Sequence, residues 1–161
     1  MKVEKAIFAA GCFWGVQHQF EREPGVLNTT VGYTGGPETK PTYTQVKDHM
    51  THHVEAILVD YDADMVSYTG LCKLFFEIHD PAQTDGIGPD LGPQYRSVIF
   101  YSDEKQKQEA EAVITLLRSK GHRVNTKLRP AETFWEGEDY HQRYYERTGG
   151  EPYCHLRVKK F

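Results

Sequence analysis

Val3-Glu4-Lys5-Ala6-Ile7-Phe8-Ala9-Ala10, followed by Gly11-Cys12-Phe13-Trp14-Gly15, is the stretch whose reading decides the fold. The first eight residues read as a strand, and residues 15–23 read as a helix stopped by Pro24-Gly25. Cys12 therefore falls at a strand-to-helix turn, close to a helix N-terminus. Unpaired backbone N–H groups and the positive end of the helix dipole favour a thiolate there. Phe13 and Trp14 offer an apolar wall for a small uncharged substrate group. The local environment leaves two readings open. Cys12 is either a nucleophile or a small hydrophobe filling the core.

Working outward, strand-like segments are 2–9, 26–33, 54–61, 96–101 and 123–128. Helical segments are 15–22, 68–79, 103–120 and roughly 137–147. Ser67 and Ser102 are N-cap candidates, and Gly121 marks a helix stop. Ala110, Val113, Ile114 and Leu117 recur at helical spacing and face a core. Strands interleaved with helices predict an α+β fold: a two-layer sandwich with a mixed, mainly antiparallel sheet, helices packed on it and an irregular C-terminal tail. Two long irregular stretches, 34–42 and 80–94, have the size of functional loops. The chain of 161 residues fits one catalytic domain, with a tail over 148–161.

A formal net charge of -4 and a pI near 6.1 give no basic footprint for nucleic acid. Mean hydropathy is -0.63, and no apolar run approaches a membrane span. The N-terminus lacks a long apolar signal region, so cytoplasmic residence is the expectation, together with a monomeric state. Cys12, Cys72 and Cys154 are widely spaced and form no Cys-x-x-Cys pair, which excludes a zinc ribbon and a thioredoxin-like motif. In a reducing compartment such cysteines are thiols, or pair transiently in catalysis.

Several polar residues invite a functional reading. Glu55 interrupts an apolar strand. It is either a solvent-facing residue of an alternating strand or a buried carboxylate with a salt-bridge partner, or else a carboxylic acid whose charged form burial disfavours and which can hand a proton to a leaving oxygen. His49, His52 and His53 cluster near Asp48, but His52 and His53 would point to opposite faces of an extended segment, and no metal site is expected. His79 closes a helix, where a histidine usually satisfies carbonyls. The glycine-rich run 85–93 lacks the Lys-Ser/Thr of a phosphate loop and contains two prolines; it reads as a shaped wall carrying Asp90 and, beyond it, Tyr95. Cys72 shares a helical face with Phe75 and Ile78 and reads as core filler. Cys154 lies in a mobile tail, as an incidental thiol or one able to reach an oxidised Cys12.

The motifs converge in order. Gly11–Gly15, Val31-Gly32-Tyr33-Thr34-Gly35-Gly36, Pro41-Thr42-Tyr43, His53-Val54-Glu55, His79-Asp80-Pro81, Gly92-Pro93-Gln94-Tyr95-Arg96-Ser97 and Glu138-Asp139-Tyr140-His141-Gln142 succeed one another as in peptide methionine sulfoxide reductase A, which the chain resembles over roughly 5–154. The resemblance implies roles for matching residues. Cys12 is the nucleophile on the sulfoxide sulfur, and Glu55 the acid toward its oxygen. Tyr43 and Tyr95 are phenolic donors to that oxygen, and Asp90 organises water and hydrogen bonds. Phe13 and Trp14 pocket the S-methyl group. It also implies the S epimer of methionine sulfoxide as substrate, free or in proteins, with no metal or organic cofactor. Cys154 is implied as the resolving thiol and thioredoxin as the reductant. Many relatives carry a glycine-rich tail with one or two recycling cysteines; here His155-Leu156-Arg157-Val158-Lys159-Lys160-Phe161 follows Cys154, implying a two-cysteine cycle. The rivals are a thiol peroxidase, which would also form a sulfenic acid, and a non-catalytic module that binds methionine sulfoxide.

Overall fold

A computed structural model describes residues 2–47, 51–82, 86–87, 90–91, 96–149 and 157–161. Its centre is a six-stranded sheet. The strands are β1 (Val3–Ala10), β2 (Val26–Thr34), β3 (Val54–Asp62), β6 (Ser97–Tyr101), β7 (Lys127–Pro130) and β8 (Trp135–Glu136), ordered β7-β6-β1-β3-β2-β8. A separate two-residue ladder joins β4 (Gly86–Ile87) to β5 (Asp90–Leu91). Every pairing in the large sheet is antiparallel except β6 with β7. The helices are α1 (Phe13–Glu21), α2 (Tyr43–Lys47), α3 (Tyr68–Glu77), α4 (Glu104–Ser119) and α5 (Tyr144–Thr148), with a 3-10 turn at Asp139–His141. This is the expected α+β sandwich with a mixed, mainly antiparallel sheet.

The period of two along each strand divides the core. Ala6, Phe8 and Ala10 of β1, Ile57, Val59 and Tyr61 of β3, and Val31 and Tyr33 of β2 join the larger cluster, beneath α1, α3 and α4. Ile7 and Ala9 with Val54, Ala56, Val98 and Phe100 form the smaller cluster on the opposite face, covered in part by Phe134. β1 is buried on both faces, hence its near-continuous apolar run. Phe8 ties the layers together: its ring stacks 5.3 Å from Phe20 of α1 and 5.3 Å from Phe75 of α3. At Gly32 a Cβ would lie 2.2 Å from the Trp135 carbonyl oxygen, so only glycine lets β8 pair with β2.

Helix ends follow local chemistry, with one correction. Ser67 Oγ accepts from Gly70 N–H at 2.9 Å, as expected of an N-cap. Asp103, not Ser102, caps α4, accepting from Gln106 N–H at 2.8 Å, while Gln106 Oε1 reaches back to Ser102 N–H. The carboxylate wins because it sits one residue nearer the first turn. Gly121 N–H to Arg118 O and His122 N–H to Leu117 O close α4 in a Schellman stop.

Two further expectations shift. The expected strand 123–128 is displaced to β7, because Asn125 N–H bonds Pro81 O and parallel pairing begins only at Val98 with Lys127. The expected helix 137–147 is broken into the 3-10 turn and α5. Arg143 takes a left-handed conformation (φ 51) between them, its N–H donating to Gln17 Oε1 at 2.7 Å. Gln142 is held outside any helix by bonds to Val31 N–H, Val31 O and Gly137 O.

The last residues are bolted down. Arg157 pairs with Glu77 at 2.9 Å and Glu23 at 3.1 Å. The Lys160 ammonium donates to the carbonyl of Phe76 in the last turn of α3 and to that of His79 just beyond it, where a cation complements the dipole. The chain after the Cys154 segment is thus anchored, not loose.

Candidate active site

β1 delivers the chain to Gly11, whose φ of 98 is open to glycine and strained for other residues; the turn it makes sets Cys12 at the N-cap of α1. Cys12 is a buried thiol with 5% exposure. No serine or aspartate caps this helix. Its first amide, Phe13 N–H, instead donates at 3.2 Å to Oε1 of Glu55, which comes from β3, 42 residues away. Glu55 is 1% exposed and pairs in register with Tyr33 on β2. Glu55 is thus buried, and the solvent-facing reading is excluded.

Aromatic rings close around this pair. Phe13 is buried, with Tyr33 at 5.7 Å and Tyr43 at 6.4 Å between ring centroids. Trp14 stacks flat on Tyr144 at 3.9 Å, and its indole N–H donates to His141 Nδ1 at 3.0 Å. That bond requires an unprotonated Nδ1, so the neutral ring carries its proton on Nε2. Burial pushes the His141 pKa down, which favours the neutral form; the nearby Glu138 charge opposes this and loses. His141 Nε2 is buried and meets no partner among the described residues. Tyr43 opens α2, and its ring centroid lies 4.3 Å from that of His141.

Glu138 binds this shell together. Its carboxylate accepts from Tyr33 O–H at 2.8 Å, Tyr43 N–H at 3.1 Å and Tyr140 O–H at 3.2 Å. Burial pushes its pKa up, but these hydrogen bonds outweigh burial and hold it below the ordinary carboxylate value. Tyr33 is raised above the ordinary phenol value, chiefly by burial and then by the Glu138 hydrogen bond, so it keeps its proton.

The structure thus brings together Cys12, Phe13, Trp14, Tyr43 and Glu55. The side chains of Asp90 and Tyr95 and all of Cys154 lie outside the described residues; of Asp90, only the backbone pairing with Ile87 is described. Tyr33, Glu138, His141 and Tyr144 are additions. Sequence reasoning saw the motifs containing the first three but gave them no place in the site.

Other candidates resolve into structural roles. His53 accepts from Gly36 N–H at 3.2 Å and its Nε2 meets Glu38 O at 2.7 Å, while exposed His52 pairs with Glu38; both hold the 34–42 loop. His79 bonds Phe75 O at 2.6 Å and Ser97 Oγ at 2.8 Å. Cys72 is fully buried in the main core, and burial pushes its thiol up to about 12.

A sheet whose central strand ends in a helix-capping thiol, beside a buried carboxyl and an aromatic cage, defines a thiol-based oxidoreductase centre for a small, partly apolar group. Comparison with known proteins narrows the class. Residues 4–161 match the family model described as peptide methionine sulfoxide reductase. The chain is 44% identical to "Peptide methionine sulfoxide reductase MsrA" of Acinetobacter baumannii, over 97% of this chain and 90% of that protein. It is 47% identical to the protein of that name from Methanosarcina acetivorans, over 91% of this chain and 80% of that one. Among solved structures, reduced Mxr1 from Saccharomyces cerevisiae superposes with a TM-score of 0.92 at 29% identity, covering 98% of this chain and 93% of that one. Methionine sulfoxide reductase A of Corynebacterium diphtheriae gives 0.81 at 32% identity, covering 94% and 77%. The chain belongs to the peptide methionine sulfoxide reductase family.

Proposed function

We propose that this chain reduces the S epimer of methionine sulfoxide to methionine at Cys12, and is recycled through a disulfide by thioredoxin. The observation that carries the reading is the Phe13 N–H to Glu55 bond, which ties a buried acid to the residue after a helix-capping thiol. A sulfoxide oxygen leaves sulfur only when protonated, so a thiolate must act beside an acid.

The Cys12 thiolate attacks the sulfoxide sulfur while Glu55 delivers a proton to the oxygen. Tyr43, with Tyr95, hydrogen-bonds that oxygen as negative charge builds on it, and Asp90 orders water beside it. Phe13 and Trp14 enclose the methyl group. The Cys12 Sγ–S bond formed by the attack then breaks as the protonated oxygen passes from the substrate sulfur to Sγ: the substrate S–O bond is lost, an Sγ–O bond forms, methionine leaves and Cys12 is left as a sulfenic acid; substrate sulfur gains two electrons and Cys12 loses two. The Cys154 thiol then displaces water to form a Cys12–Cys154 disulfide. A thioredoxin dithiol takes over that disulfide by exchange and restores both thiols. Mxr1 has been solved in complex with Trx2, which supports a thioredoxin as the partner of this chain.

The test is an assay on separated sulfoxide epimers with dithiothreitol, run beside hydrogen peroxide. Turnover of the S epimer alone is expected. Turnover of peroxide without sulfoxide reduction would make the protein a thiol peroxidase, and binding without product would make it a recognition module.

A further inference from the structure

We propose that Glu138 is the positioning residue of this site. Its ionised carboxylate holds Tyr43 and Tyr33 in place around Cys12, so sulfoxide binding and reduction depend on it although it does not touch the substrate. The proposal rests on the reading of Cys12 and Tyr43 given above and extends it to a residue with no assigned role.

Two segments, β2 and the start of α2, meet at this carboxylate, and a third is tied to the residue's main chain. Tyr33 belongs to β2, directly opposite Glu55, and is completely buried; its hydroxyl ends on Glu138 Oε1 at 2.8 Å. Tyr43 is the first residue of α2, and its backbone N–H ends on Oε2 at 3.1 Å. The third segment is the 3-10 turn that Glu138 itself begins: His141 N–H bonds Glu138 O at 3.0 Å, and His141 in turn holds the Trp14 indole. Just past β8, Gly137 N–H bonds Val31 O at 2.8 Å and ties the backbone beside Glu138 to β2.

Ionisation matters because every partner is a donor. A carboxylate presents only acceptors and can satisfy Tyr33 O–H, Tyr43 N–H and Tyr140 O–H together. Charge-assisted bonds of this kind are about twice as strong as neutral ones. A glutamine in its place keeps one acceptor oxygen but turns an NH2 toward a donor. If the amide oxygen keeps Tyr43 N–H, the NH2 faces Tyr33, and the phenol must rotate its proton away from residue 138. If the oxygen keeps Tyr33, the start of α2 loses its anchor. In the first case Tyr33 Oη can still accept from the NH2 but its own proton loses its acceptor, and either way a charge-assisted bond of the cage is lost.

Single-turnover kinetics on the full-length protein separate positioning from folding, because the burst amplitude counts competent molecules and the rate constant reports how each performs. Glu138→Gln is expected to release close to one methionine per enzyme. Its rate constant should fall and its half-saturating sulfoxide concentration rise, by about tenfold to a hundredfold in their ratio, the range for one charge-assisted bond. Glu138→Asp keeps the charge with a shorter reach and should fall between Glu138→Gln and the parent; the same criteria apply to it if the glutamine variant is unstable. Tyr33→Phe, which leaves the Tyr43 bond intact, should show a smaller change in the same direction. Parent-like rate constant and half-saturation in both Glu138 variants, with full or reduced amplitude, would overturn the proposal while leaving the site reading intact. A parent protein that releases no methionine would overturn that site reading and this proposal with it.

Discussion

α1 and α3 each carry a cysteine, and their N-termini are built differently. α3 is capped by its own neighbour, Ser67, and Cys72 lies inside it against the core, where burial lifts the thiol to about 12. α1 has Cys12 itself at the N-cap, and the helix's first amide is taken by Glu55 from a distant strand. The two thiols are nearly equally buried, at 5% and 0%. Burial therefore does not distinguish the two cysteines. Position on the helix and the neighbouring carboxyl do: α1 is the helix whose start is tied to a buried carboxyl from another strand.

The largest effect expected from breaking this contrast is at Cys12. Cys12→Ser should form no methionine above background, since a hydroxyl is a far weaker nucleophile at neutral pH; product quantified by mass spectrometry decides. Glu55→Gln comes next. Its amide oxygen can still accept Phe13 N–H, so the melting temperature should stay close to the parent's while the single-turnover rate drops by roughly two to four orders of magnitude. A rate within a few-fold of the parent would move the acid role to another group.

His141 sharpens the comparison through pH. The folded protein holds it neutral, with its pKa lowered by burial, whereas the unfolded chain takes up a proton near the ordinary value of about 6.5. The unfolded state binds more protons over that window, so stability is full above it and falls as pH drops through it toward the folded value. Melting curves of the parent should lose stability between neutral and mildly acid pH, and His141→Asn should lose less. Equal losses would place the acid sensitivity elsewhere. The smallest effect belongs to Cys72→Ser: normal turnover, with a stability loss of about 1–3 kcal/mol for a hydroxyl in an apolar site, read from denaturant midpoints.

Much of this was legible in the sequence because it rests on short-range pattern. The period-two runs of β1, β2 and β3 reveal both faces of the sheet, and the Gly11–Gly15 turn places Cys12 at a helix start. Glu55 stood out as a charge within an apolar strand, although its burial and its bond to the start of α1 depend on packing that no local pattern reveals. What stayed hidden depends on contacts across the chain. Residues 137–147 carry helix-compatible side chains, yet Glu138 spends its carboxylate on Tyr33 and Tyr43, and Gln142 its amide on Val31, so tertiary bonds override propensity. The same bonds make Tyr33 and His141 part of the cage, and no spacing rule links residues 105 apart. The anchored end of the tail has the same origin, in the reach of Arg157 to Glu77 across 80 residues.

The most direct test of the contrast between the two helices uses Cys154→Ser protein, one equivalent of S-epimer sulfoxide and a dimedone trap, followed by peptide mapping. The account predicts one methionine released per enzyme, the trap on Cys12 alone, and no further turnover with thioredoxin. The trap on Cys72, or methionine formed with Cys12 unmodified, would contradict it.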